Sequence, residues 1–107
     1  MDPLLILTNV PDPGTAEKLA RALIDSRAAA CVNVLAACRS IYRWQGAVET
    51  ADEIPLLIKT TAANYPLVEQ IVRAQHPYAL PELIAIPITH GLPAYLDWLA
   101  TETEQHD

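Results

Sequence analysis

The sequence predicts an α+β sandwich of the ferredoxin-like kind, βαββαβ with a C-terminal helix, and three observations carry that prediction. An apolar run at Leu4 to Leu7 is followed closely by a helix start at Asp12-Pro13. The stretch from Ala29 to Trp44 holds no Gly, no Pro and no helical period, and a strand-like segment returns beyond Gln45-Gly46. A second helical stripe then leads into another apolar run at Glu82 to Ile88. Two such βαβ halves share one antiparallel sheet with both helices on one face.

Leu4-Leu5-Ile6-Leu7 is apolar on both parities, which suits a central strand, and it ends at Thr8-Asn9. Asp12 is placed to cap the first helix, with Pro13 at its first position, and Ala16, Leu19, Ala20, Leu23 and Ile24 form its inner stripe. Glu17 and Arg21 form an i,i+4 pair on the outer side. Ala29 to Trp44 reads as one long strand, with a bend near Ala36-Ala37 as the alternative.

On the return strand, Val48, Thr50, Ile54, Leu56 and Ile58 share one parity, while Glu49, Glu53 and Lys59 share a wet one. Pro55 interrupts the ladder donors and predicts a bulge or an unpaired stretch. A sixteen-residue strand extends about 53 Å, whereas a compact domain of this length is about 34 Å across. The hairpin therefore outgrows its core. Its tip carries Ile41, Tyr42, Trp44 and Val48, so the chain is expected to cover it by self-association.

Asn64 or Thr61 caps the second helix, with Pro66 in its first turn and Leu67, Val68, Ile71, Val72 and Gln75 facing inward. The helix must end before Pro77, and Pro77 and Pro81 stiffen the connector to the last strand. Pro87 marks that strand as an edge or a bulge. Gly91 and Pro93 introduce a final helix packed through Tyr95, Leu96, Trp98 and Leu99. Residues from about 100 to 107 read as a polar frayed tail, and 1–107 as a single domain.

Seven Lys and Arg against thirteen Asp and Glu give a net charge of −6, and the basic residues are scattered, which excludes a nucleic-acid surface. The N-terminus has no basic segment or long apolar run, so no membrane partner and a cytoplasmic location are expected. Cys31 and Cys38, if on one strand, lie about 23 Å apart, beyond the roughly 7 Å limit for a disulfide. They read as reduced packing residues.

Neither Cys has an adjacent base and no nucleophile elbow exists, so nucleophilic catalysis is poorly supported; the chain reads as non-enzymatic, with an acid-base pair of His76 and Glu82 as the enzymatic rival. His76 stands at a helix end, where it can meet the helix dipole in its protonated form. It also offers an imidazole six residues before the Glu82 carboxylate, a partial site for a transition metal. Trp44, Lys59 and Tyr78 are candidates to line a ligand cleft.

Five ordered blocks carry a resemblance. They are Ala29 to Val34, Ser40-Ile41-Tyr42-Arg43-Trp44-Gln45-Gly46, Ile58-Lys59-Thr60-Thr61, His76-Pro77-Tyr78-Ala79-Leu80-Pro81-Glu82, and Gly91 with Tyr95-Leu96-Asp97-Trp98. Together, over Leu4 to Leu99, they resemble the CutA divalent-cation-tolerance family. The resemblance implies a homotrimer similar in build to PII signalling proteins, with the hairpins wrapping neighbouring subunits. It implies tolerance of divalent metals, Cu(II) especially, weakly bound with His76 and Glu82 as ligands. Thr8 stands where some members place a ligand Cys, and Gln75 replaces a possible second His. A PII-like adaptor whose clefts bind an anionic metabolite or a protein partner is the alternative.

Overall fold

A computed structural model describes residues 2–105. The elements run β1 (Pro3–Val10), α1 (Pro13–Asp25), β2 (Cys31–Val34), β3 (Cys38–Trp44) and β4 (Ala47–Thr61). A 3-10 turn at Ala62–Asn64 leads into α2 (Tyr65–Gln75), followed by β5 (Ile84–Pro87) and α3 (Pro93–Glu102). The antiparallel sheet is ordered β2-β4-β1-β5, with β3 continuing the pairing along β4. This is the ferredoxin-like arrangement, with the two crossover helices on one face.

Period-2 alternation decides which side chains face those helices. Ile6, Val10, Leu56 and Ile58 are fully buried against Ala16, Leu19 and Leu23 of α1 and Val68 and Val72 of α2. The opposite parity, with Leu5 facing Ile86 and Leu7 facing Ile84 across the ladder, forms the open face. Ile84 and Ile86 are exposed there, on the edge strand that Pro87 foretold.

Asp12 caps α1 through Oδ1, which accepts from the Thr15 amide at 2.8 Å, and Pro13 follows at the first position. Ile24, assigned to the inner stripe, is exposed instead. Neither Thr61 nor Asn64 caps α2 by a side-chain bond. The Asn64 amide instead donates to the Thr103 carbonyl at 2.9 Å and so ties down the C-terminal segment. Arg27 donates to the Thr101 and Glu104 carbonyls at the same place.

That anchoring corrects the frayed tail. Helix α3 includes Thr101 and Glu102, Thr103 is buried, and Gln105 donates to the Arg27 carbonyl at 3.0 Å. The part of the tail beyond 105 lies outside the described residues. Leu99 is the buried member of the expected α3 packing set, while Tyr95 and Trp98 are exposed.

The long strand is two strands, divided near the expected Ala36-Ala37 bend. Val34 faces Leu56 but Cys38 faces Glu53, so four steps on one side match three on the other, a bulge of one residue. The bulge sits opposite Pro55 rather than within β4. The Pro55 carbonyl accepts from the Leu35 amide at 3.0 Å. A residue's N–H and C=O point to the same side of a strand, so the missing Pro55 N–H falls where the partner strand is interrupted. The hairpin stretches the molecule to 44 × 29 × 23 Å, with a radius of gyration of 14.4 Å.

Candidate functional site

A groove of about 770 Å³ opens where the hairpin, the end of β1 and the connector after α2 meet; Asn9, Tyr42, Trp44, Glu53, Tyr78 and Glu82 line it. Its wall comes from the extended backbone that Pro77 imposes on His76, whose ψ is 131°. The His76 amide still donates to the Val72 carbonyl at 2.8 Å, closing α2 as the chain turns away.

His76 lies beneath the groove, 7% exposed. Its Nε2–H donates to the Asn9 carbonyl at 2.6 Å, and its Nδ1 accepts from the Tyr78 amide at 3.2 Å. Because a carbonyl can only accept and an amide can only donate, this pairing defines the neutral Nε2–H tautomer. It corrects the protonated ring read from the helix end. Both nitrogens are engaged, so in this arrangement neither presents a lone pair to a metal or a proton-accepting site to a substrate. The ring also packs on Tyr78, with centroids 4.8 Å apart.

Glu82 is held from β1. Its main-chain carbonyl accepts from the buried Thr8 hydroxyl at 2.7 Å, and its Oε1 accepts from Asn9 Nδ2 at 3.2 Å. Asn9 thus joins His76 to Glu82, and Thr8 latches the backbone. Asn9 was not read as a site residue, and Thr8 was singled out only through the resemblance, as standing at a possible ligand position, with no latching role read for it. Their partners lie 67 to 74 positions away.

Glu53 is a further residue missed. Assigned to a wet parity, it is 8% exposed. The ladder places it opposite Cys38, on the hairpin face that also carries Tyr42 and Trp44. Burial first, and then the Glu53 charge, push the Tyr78 phenol above its ordinary value, so that ring stays protonated at neutral pH.

The structure gathers Trp44, Tyr78 and Glu82 at the groove but leaves Lys59 out. Lys59 faces Leu5 and Cys31 across the sheet, six positions beyond Glu53 on β4. Ile41 and Val48 are exposed as expected, but they project from the other face of the hairpin, with Arg43 and Thr50. Cys31 and Cys38 are free thiols.

Among the described residues, no group of three His, Cys, Asp or Glu side chains is placed to enclose a metal ion. One carboxylate at the rim, Glu82, fits a weakly held ion; a closed tetrahedral site needs more donors than one chain brings together here. No helix among the described residues is long and apolar enough to cross a membrane.

The comparisons agree over nearly the whole chain. The family model described as CutA1 divalent ion tolerance protein matches residues 4–102. A divalent-cation tolerance protein CutA of Thermus thermophilus is 46% identical over 99 residues, covering 92% of this chain and 96% of the relative. The crystal structure of CutA from Xylella fastidiosa superposes with a TM-score of 0.94 at 46% identity, over 97% of this chain and 100% of that one. CutA1 from Oryza sativa gives 0.95 at 35% identity, over 99% and 97%. The chain belongs to the CutA1 divalent ion tolerance family.

Proposed function

We propose that this chain acts without catalysis, as a homotrimer, in the response to divalent metal ions, holding such an ion weakly at the Glu82 end of the groove. Copper(II) is the first candidate. The observation that carries this reading is the presentation of Glu82: an exposed carboxylate on a backbone fixed by Thr8 at 2.7 Å and aimed by Asn9 at 3.2 Å. In this reading His76 is a positioning residue that holds Asn9 and the Tyr78 turn rather than a ligand.

The weakness follows from the donor count. One oriented carboxylate with water in the remaining positions binds a borderline metal loosely, and repetition of the site in a trimer raises capacity without tightening each site. Trimerisation is supported by the apolar side chains left uncovered on the hairpin and on β5. An anionic metabolite in the cleft, the PII-like alternative, is less favoured. Glu53 and Glu82 both line the groove, Arg43 is the cation among its lining residues, and Lys59 lies elsewhere.

Native mass spectrometry with a few equivalents of Cu(II) tests this. Wild type is expected as a trimer with copper adducts in threes, and Glu82→Gln as a trimer with those adducts lost. A Glu82→Gln trimer that takes up copper as wild type does would overturn the assignment.

A further inference from the structure

The hairpin end of the same groove has a different chemistry from the Glu82 end. Glu53 is more than nine-tenths buried, yet among the described residues it forms no ion pair; the two ion pairs there are Arg21 with Glu17 and Arg27 with Glu102. The polar partner of Glu53 is the neutral Tyr78 hydroxyl, so the carboxylate at the groove wall is hydrogen-bonded but not matched by a charge, and a cation arriving beside it would supply that match. Arg43 lines the groove, but in the ladder it belongs to the opposite hairpin face, across from Val48, and makes no ion pair with Glu53.

The surfaces around Glu53 are aromatic. Tyr42 and Trp44 stand on its own face of the hairpin, and Tyr78 approaches from the connector, each ring partly exposed. Ring faces attract a cation that sheds its water easily, whereas a small divalent metal ion keeps its hydration shell and prefers several oxygens.

We propose that this end of the groove is a binding site for a small organic ammonium ion, with Glu53 as its counter-charge and Tyr42, Trp44 and Tyr78 as its walls. The proposal deepens the reading of the groove as a cation site but does not depend on Glu82. Glu49, opposite Tyr42 in the ladder, places a second carboxylate on the same hairpin face nearer its tip. Trp44 supplies the signal, because a cation stacked on its indole changes its fluorescence.

The test titrates the intact protein with tetramethylammonium and with 1,4-diaminobutane, following Trp fluorescence and, in parallel, calorimetry. Saturable binding of at least one probe is expected, weakened about tenfold or more in Glu53→Gln and in Trp44→Leu. It should change by less than about twofold in Glu82→Gln, whose loss is confined to copper. Circular dichroism verifies that each variant is folded, and Tyr78→Phe, which keeps the ring, is expected to retain binding. Absence of saturation by either probe up to about 10 mM, or equal binding by folded Glu53→Gln, overturns the proposal. Loss of copper uptake with ammonium binding intact strikes only the Glu82 end, and the reverse strikes only this one.

Discussion

At His76 the main-chain amide closes α2, while the buried imidazole accepts from the Tyr78 amide and donates to the Asn9 carbonyl, so one residue ties three segments together. Replacing it by Ala leaves a buried carbonyl and an amide without partners. His76→Ala is expected to lower unfolding free energy by about 1–3 kcal/mol, read from urea denaturation. A change below about 0.5 kcal/mol would mean the ring is not the post this geometry makes it. Asp12 supplies a pH test. Bonds from the Thr15 amide and hydroxyl hold its carboxyl below the usual Asp range. A depressed folded-state pKa contributes stability above the unfolded value and loses it as pH falls through the folded one. The stability gap between wild type and Asp12→Ala should therefore narrow as pH falls through the acid range, and a constant gap would contradict this cause. Asp12 and the Glu17 to Arg21 pair were legible because both partners lie within four positions. Asn9, Thr8 and the His76 tautomer were not, because their partners are set by the tertiary fold, and Glu53 was hidden by a parity that charge alone labelled wet.

Among the elements, β4 organises the rest: it pairs with β1 along eight residues and with β2 and β3 in turn along its other edge. The βαββαβ order of elements along the chain followed from hydrophobic period and from capping and turn residues, which are local signals. The division of β2 from β3 was only half legible. Pro55 announced an irregularity, but a missing donor disturbs the partner strand as readily as its own, and the extra residue lies across the ladder. Proline inside a strand ordinarily weakens it, yet here its absent N–H faces the interruption. Pro55→Ala is accordingly expected to lose about 0.4–1 kcal/mol through a looser unfolded chain, not to gain stability. A rise in the thermal midpoint would show that Pro55 is strained. Helix α3 was read too short because its last turn is polar. Asn64 and Arg27, distant in sequence, hold that turn in place.

For the whole molecule, the uncovered apolar side chains are the dominant feature. Ile41 is 69% exposed and Val48 64%, on the hairpin face away from the groove. If subunits of a trimer cover that face, Ile41→Lys with Val48→Lys should raise the concentration at which the assembly dissociates by at least about tenfold in sedimentation equilibrium, while each chain keeps its fold. An unchanged association constant would place the contact elsewhere. The groove sits at the base of the same hairpin, so assembly and cation binding share an element. The reading of the molecule rests on Glu82, and its most direct test is growth of copper-stressed cells that lack their own copy of this protein. Wild type should restore growth, and a Glu82→Gln variant that still assembles should not. Protection by that variant equal to wild type would contradict a role for the groove carboxylate in metal tolerance.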